Sequence, residues 1–357
     1  MIKSEKIECI NTPAYVFSKK ALIFSYQNLC KKMAGIEVYY SLKANAEPLI
    51  IECLSSVCTG FEVASDGEFD RVRNADIPAS NIICGLPIKK ISTIEHLYRD
   101  GCNYFIFDML SELQKLNEYA PSSNKILRLN INDLLPNSLE FGMTIEEIAI
   151  GVRNGVFSSN NINGISFHIS NNINLNDFNC VWNRAMYVIG LLQFHMKQSF
   201  ILNIGGGYRH NAEDGFFSNL VYKTDNLRKQ YPNIRIIAEP GNAIVNDAGS
   251  LFSRVIAVRH RKSFSDVYMD AGKPTGLKTD NKRLPSYIKV INKKPIKQLC
   301  TYRFVDLTCM HRPHFTFDLP YEIESGDILE LGAMGAYTAC LQSMFHVWPS
   351  PKIYIIE

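Results

Sequence analysis

Four features of the sequence have residue types suited to joint chemistry: Lys43, His168, the triplet Gly205-Gly206-Gly207, and Glu239. A lysine amine can form an imine with an aldehyde. Consecutive glycines let backbone N–H groups approach a phosphate without side-chain interference. Each feature also has a plainer reading. A lysine after a strand can be a solvated end, a single histidine a hydrogen-bonded core residue, and a glycine triplet a tight turn. Chemistry follows only if one fold gathers them at one mouth.

Eight short β-branched or aromatic runs recur: Ile36–Tyr40, Gly60–Ala64, Ile82–Cys84, Tyr104–Phe107, Lys125–Leu129, Gly164–His168, Phe200–Ile204 and Ile234–Ala238. The first five begin 21 to 24 residues apart and the last three follow at 34 to 39, which leaves room for crossover helices between parallel strands. Thr144-Ile-Glu-Glu147 fits a capping box, and Asn176–Lys197 and Glu213–Gln230 read as the longer helices. This rhythm predicts a (β/α)8 barrel, with a doubly wound open sheet as the alternative. Barrel active sites lie at the C-terminal strand ends, where the loops converge. Lys43, Glu62, Asp108, Arg128, His168, Gly205–Gly207 and Glu239 all fall at or near such ends. Together they fit a phosphorylated aldehyde, which points to pyridoxal phosphate.

After about Ala248 the rhythm changes to alternating runs: Ser253–Val258, Asp266–Met269, Tyr287–Ile291, Leu299–Val305 and Asp327–Leu331. They predict a β-rich second domain, 249–357, joined by the extended piece Pro13–Phe17 of segment 1–19, with the barrel over 20–248. The ending Lys352–Glu357 lies inside a strand-like run, an expectation consistent with a longer polypeptide.

Composition narrows the function class. Of 357 residues, 46% are apolar and 20% charged, enough for large cores and unlike a disordered chain. Lys plus Arg is 38 against 35 Asp plus Glu, so no basic excess points to a nucleic-acid polymer. The densest basic run, Arg259–Lys262, reads as a solvated strand end. The greasiest stretch, Ala185–Met196, is broken by Gln193 and His195 and is too short for a membrane span. The ten cysteines show no CxxC pair and no metal-ligand spacing, and most lie in apolar runs like buried reduced thiols. With no secretory signal at Met1–Lys6, the expectation is a cytoplasmic protein without a metal.

Seven segments in order carry a resemblance: Tyr39–Asn45, Gly60–Ser65, Ser166–His168, Gly205–Tyr208, Ala238–Gly241, Thr308-Cys309 and Met334–Thr338. Through them the chain resembles the fold-type III pyridoxal phosphate enzymes of the ornithine/diaminopimelate decarboxylase family. The resemblance implies a barrel plus a β domain in a homodimer with active sites at the interface. It casts Lys43 as the amine that carries the cofactor, His168 as the ring that stacks on the pyridine, and Gly205, Gly206 and Gly207 with Tyr337 as phosphate donors. Glu239 would face the pyridine nitrogen and favour its protonated form, the better electron sink. Cys309, reaching in from the partner, would return a proton as general acid. The cofactor set is completed by Glu62, Arg128, Asn171, Gly241 and Asn242. Alanine racemases share the fold but resemble one another in an arginine where this chain has Glu239, and in a tyrosine roughly where it has Cys309, so decarboxylation fits better.

Two departures bear on function. The family reads Glu-Pro-Gly-Arg where this chain has Asn242, so a charge-assisted phosphate contact is lost unless a donor such as Asn171 replaces it. That departure keeps open a cofactor-free regulator. The family cysteine is followed by Asp or Glu, which helps hold a distal ammonium, but here Cys309 is followed by Met310, with His311, Arg312 and His314 nearby. One reading leaves Arg312 and the histidines in solvent. The other assigns Met310, Arg312 and Phe345 to a substrate whose distal part is neutral or anionic. An example is the aminocarboxypropyl group of a peptide-nucleotide antibiotic of the microcin C class, a modified-peptide substrate. Free ornithine, lysine or diaminopimelate is the alternative small-molecule substrate.

Overall fold

A computed structural model describes residues 10–135, 140–157, 161–169, 174–192, 199–208, 212, 215–277, 284–310 and 313–357. The chain divides into two units, Tyr26–Ala243 and Met1–Ser25 with Ile244–Glu357. Strand β1 (Ala14–Ser18) belongs to the second of these. Eight strands follow it: β2 (Glu37–Ser41), β3 (Gly60–Val63), β4 (Ile82–Cys84), β5 (Tyr104–Phe107), β6 (Asn124–Arg128), β7 (Gly164–Ser166), β8 (Phe200–Asn203) and β9 (Ile234–Ala238).

These eight pair in parallel as a closed barrel. Closure is made by Glu37 and Val38 of β2 against Ile237 and Ala238 of β9, which excludes the open-sheet alternative. Tyr39, Ile83, Ile106, Ile126, Ile201 and Ile237, from six different strands, form one buried cluster. Such inward side chains, one tyrosine and five β-branched isoleucines, fill a barrel rather than leave a pore, and each isoleucine contributes roughly 1.5–3 kcal/mol by leaving water.

Strands β7 and β8 end earlier than the sequence suggests, at Ser166 and Asn203. Single backbone bonds still run from the Phe167 N–H to Asn203 and from the Ile204 N–H to Ile237, after which Gly205 takes φ +64° and the Gly206 N–H goes to the His168 ring instead of a neighbouring strand. The helix expected from Glu213 starts at Phe216, because Gly215 at φ +82° is not helical and acts as its cap. The helix expected over 176–197 runs Leu175–Leu191, and 193–198 lie outside the described residues.

Thr144 forms the expected capping box, its hydroxyl accepting from the Glu147 N–H at 3.2 Å while the Glu147 carboxylate accepts from the Thr144 N–H at 2.8 Å. Replacing Thr144 with Ala removes the acceptor and should cost about 1 kcal/mol, read as a small fall in thermal midpoint. An unchanged midpoint would show that the box contributes nothing.

The second unit holds an eight-stranded mixed sheet among the described residues. Besides β1 it contains β10 (Gly249–His260), β11 (Ser265–Met269), β12 (Ile288–Val290), β13 (Cys300–Asp306), β14 (Pro313–Leu319), β15 (Ile328–Leu331) and β16 (Lys352–Ile356). β13 and β14 form an antiparallel hairpin. The cysteine expectation is corrected: of nine described cysteines, Cys53, Cys84 and Cys102 are buried, while Cys180, Cys309 and Cys340 are exposed. Cys84 lies in β4 and Cys53 in the helix Pro48–Ser55, whereas Cys309 falls in a turn and Cys340 in the 3-10 helix Ala339–Leu341. Among the described residues no helix is long and apolar enough to cross a membrane, and no group of His, Cys, Asp or Glu could hold a metal.

Candidate active site

The barrel mouth gathers its polar groups through short links between neighbouring loops. Lys43 occupies a single 3-10 turn, Leu42–Ala44, directly after β2. Leu42 and Ala44 are fully buried, whereas Lys43 is exposed. The Ser41 N–H donates to the Pro240 carbonyl at 3.2 Å, tying this turn to the Glu239-Pro240-Gly241 loop. A side chain at Gly241 would stand 2.7 Å from Ala44 Cβ, so glycine is required for that contact.

Two carboxylates lie buried at the mouth. Glu62, 3% exposed, accepts a hydrogen bond from the Ser41 hydroxyl. Glu239, 6% exposed, accepts from the Asn203 side-chain amide at 2.5 Å. The same Asn203 accepts the Gly205 N–H at 2.9 Å, so one buried side chain joins Glu239 to the glycine triplet. Burial and then the charge of Glu62 push Glu239 up to about 7, opposed by Lys43, Asn203 and Arg128.

His168 is half-buried. Burial, then the charges of Lys43 and Arg128, hold it well below the usual imidazole value, so the ring is neutral. Its Nδ1 accepts the Gly206 N–H at 3.2 Å, which leaves the ring proton on Nε2. Side chains at Gly205 and Gly206 would meet the Phe167 carbonyl at 2.3 Å and the Glu239 carbonyl at 2.5 Å. Gly205 and Gly206 therefore run hard against their neighbours as bare backbone, their N–H groups already given to Asn203 and His168.

Arg128 is buried enough to be pulled below its usual value, against the pull of Glu239, Asp108 and Glu62. Arg128 Nε, Ser166 Oγ and Asp108 Oδ1 are buried with no hydrogen-bond partner among the described residues. Orphaned buried polar atoms at the C-terminal ends of neighbouring barrel strands are what a bound polar group would satisfy. The lysine, the ring histidine, the two carboxylates and the bare glycine backbone fit a phosphorylated, ring-bearing aldehyde. Asn242 is half-buried at the start of the short helix Asn242–Val245.

The remaining expected residues belong to the β unit, apart from Asn171. Cys309 is exposed in the β13–β14 turn. Met310 and Phe345, 54% and 48% exposed, line one cleft of about 530 Å³ with Lys273, Asp306, Thr308 and His314. Tyr337 is half-buried, with φ +53°. Asn171, His311 and Arg312 lie outside the described residues. The solvent reading fails for His314, which is 6% exposed because β14 turns it inward against Asp306.

Sequence reasoning missed Ser41, Asn203 and Asp306. Asn203 left a signal, being the one polar residue in the run Phe200–Ile204 ahead of three glycines. Ser41 left none, since a serine after a strand is unremarkable.

The family model "Pyridoxal-dependent decarboxylase, pyridoxal binding domain" matches residues 20–246. Ornithine decarboxylase of Schizosaccharomyces pombe is 27% identical over 91% of this chain and 79% of its own length. Diaminopimelate decarboxylase of Neisseria meningitidis is 25% identical over 95% of this chain and 88% of its own. Among solved structures, arginine decarboxylase of Paramecium bursaria Chlorella virus superposes with TM-score 0.87 at 22% identity, covering 99% of this chain and 98% of that one. Lysine/ornithine decarboxylase of Vibrio vulnificus, complexed with cadaverine, superposes at 0.84 with 21% identity, covering 99% and 97%. At such identities the structural likeness establishes the shared fold.

Proposed function

The chain belongs to the pyridoxal-dependent decarboxylases, and on that premise we propose that it removes the α-carboxylate of a free amino acid bearing a second, basic group, of the ornithine, lysine or diaminopimelate kind. The family match over 20–246, which includes the whole Lys43–Glu239 constellation, carries this reading. The substrate class is supported by the relatives that match nine-tenths of the chain and are named for ornithine and diaminopimelate.

When bound, pyridoxal phosphate supplies an electron sink for the bond to the departing carboxylate. The rest is the work of the chain's own residues. Lys43 offers the amine that carries the cofactor. The Gly205 and Gly206 N–H groups are taken by Asn203 and the His168 ring, a correction to their expected role, so of the triplet Gly207 would offer its backbone donor to the phosphate, and the Arg128 charge lies within reach of Glu239 and Glu62. Neutral His168, fixed through Nδ1, presents a flat ring. Glu239 would hold a proton at the cofactor's ring nitrogen, and Asn203 orients the Glu239 carboxylate. Cys309 of a second copy would return the proton after the carboxylate leaves, so we propose a homodimer as the working form. The orphaned Arg128 Nε argues that the loss of the family arginine at Asn242 is offset by another cation, and against the regulator reading.

One observation favours a second reading. Met310, not an acid, follows Cys309, and it lines a cleft that also holds the Lys273 ammonium. A substrate with a neutral or anionic distal part, such as an aminocarboxypropyl phosphate ester, would suit that pair. The test is CO2 release from L-ornithine, L-lysine, meso-diaminopimelate, L-arginine and the phosphate ester under one set of conditions. The first reading expects kcat/KM at least about tenfold higher for a free diamino acid, a difference of about 1.4 kcal/mol in transition-state binding. The reverse preference overturns it in favour of the second. No CO2 from any of them, with a colourless protein, would overturn both.

A further inference from the structure

The β13–β14 hairpin presents Cys309 in its turn, and a turn alone would leave that thiol loosely placed. Asp306, the last residue of β13, is 6% exposed and is committed in two directions. Its Oδ1 accepts both the Thr308 N–H at 2.9 Å and the Thr308 hydroxyl at 2.6 Å. Its Oδ2 stands 3.1 Å from Nε2 of His314, on the opposite strand of the hairpin and likewise 6% exposed, a charge contact in which the ring nitrogen makes no directed hydrogen bond among the described residues. One carboxylate therefore ties the residue just before Cys309 to the far stem. Space is reserved for it as well, because a side chain at Gly272 would come within 2.5 Å of Oδ2.

From this geometry we infer that Asp306 is the positioning residue for Cys309, and that His314 holds Asp306 in place. The inference rests on the reading of Cys309 as the proton donor. Two further observations support it. Burial works against ionisation of Asp306, yet the His314 ring and the Thr308 donors hold its carboxyl down to about 2, so the tether keeps its charge across the working range. Thr308 and Met310, the two neighbours of Cys309, both line the same cleft as Asp306 and His314, so the tether fixes the wall beside which the thiol is presented. A general acid must stand within hydrogen-bond reach of its target, and a misplacement of about 1 Å can cost on the order of 10²-fold in rate.

The test pairs a kinetic with a chemical readout. In Asp306→Ala both arms of the tether are gone. The kcat on the preferred substrate should fall about 10-fold or more while KM stays within about threefold, the split expected when a proton-transfer group is misplaced and binding is kept. In the cofactor-free protein, the alkylation rate at Cys309, followed by peptide mapping, should change about fivefold or more, because a freed turn no longer holds the thiol in one setting. Asp306→Asn retains an oxygen acceptor for Thr308 and should recover most of both losses, whereas His314→Ala should show a smaller version of the Asp306→Ala effect. If Cys309 alkylates in Asp306→Ala as in the wild type, the positioning role is overturned, whatever happens to kcat. If alkylation changes but kcat does not, the tether stands and Cys309 is not the acid. If Asp306→Ala fails to fold, the Asp306→Asn and His314→Ala pair decides: wild-type alkylation in both overturns the inference.

Discussion

Lys43→Ala loses the cofactor's absorbance near roughly 420 nm and at least about 10³-fold of CO2 release, with thermal stability unchanged. The size of the loss follows from the chemistry, since nothing else in the turn offers an amine. The unchanged stability follows from the packing. Leu42 and Ala44 are fully buried and hold the turn, the Tyr40 hydroxyl donates to the Asn45 carbonyl at 2.8 Å behind it, and Ser41 ties it to Pro240. Lys43 is the exposed member between two buried neighbours, so truncating it deletes a functional group without opening a cavity. Lys43→Arg separates charge from nucleophilicity. The guanidinium preserves the positive charge felt by His168 and Glu239 but remains protonated, and activity should stay lost. In the wild-type protein, borohydride reduction followed by peptide mapping should place the cofactor's mass on the Lys43 peptide. A Lys43→Ala protein that keeps its colour and a tenth of its activity would mean that another amine carries the cofactor.

The barrel was legible because its signal is periodic. Short runs such as Ile82–Cys84 and Tyr104–Phe107 are buried on both faces, and their type and position follow from hydrophobicity alone. The ends of β7 and β8 were less legible, because a strand ends where a specific hydrogen bond pulls the backbone away. The bond from Gly206 to His168 cannot be inferred from either residue by itself. The same distinction runs through the site. Residues that do chemistry announce themselves by type: one lysine, one glycine triplet, one carboxylate after a strand. Residues that orient them do not. Ser41 on Glu62, Asn203 on Glu239 and Asp306 on Thr308 are ordinary polar residues whose meaning lies in a partner 2 to 36 positions away. The segment after Cys309 is the clearest instance. Sequence suggested solvent for its histidines, but the hairpin register of β13 and β14 faces His314 toward Asp306.

Glu239→Gln should push stability and activity in opposite directions. Glu239 is buried beside Glu62, and Asn203 already supplies its oxygen Oε1 with a donor. Burial and Glu62 raise it from 4.5 to about 7 in the folded protein. A carboxyl whose folded value is raised binds its proton more tightly when folded than when unfolded. Its contribution to stability is therefore fully present below the unfolded value and is lost as pH rises through about 7. The loss has an upper bound of roughly 3 kcal/mol. The cofactor-free wild type should therefore melt at falling temperatures between about pH 5 and pH 8, and the neutral, nearly isosteric glutamine should flatten that slope and melt higher at pH 8. A protonated ring nitrogen beside Glu239 reverses the balance, because an adjacent positive charge favours the carboxylate. The bound cofactor should accordingly stabilise the wild type more than Glu239→Gln, most visibly at pH 8. Glutamine cannot hold a proton on that nitrogen, so decarboxylation should drop about 10²-fold or more even with the cofactor in place. A merely structural glutamate would give a variant that is less stable at every pH and proportionally less active. Matching pH slopes in the two cofactor-free proteins would refute the raised carboxyl, and with it the view that this buried acid waits for a cationic ring.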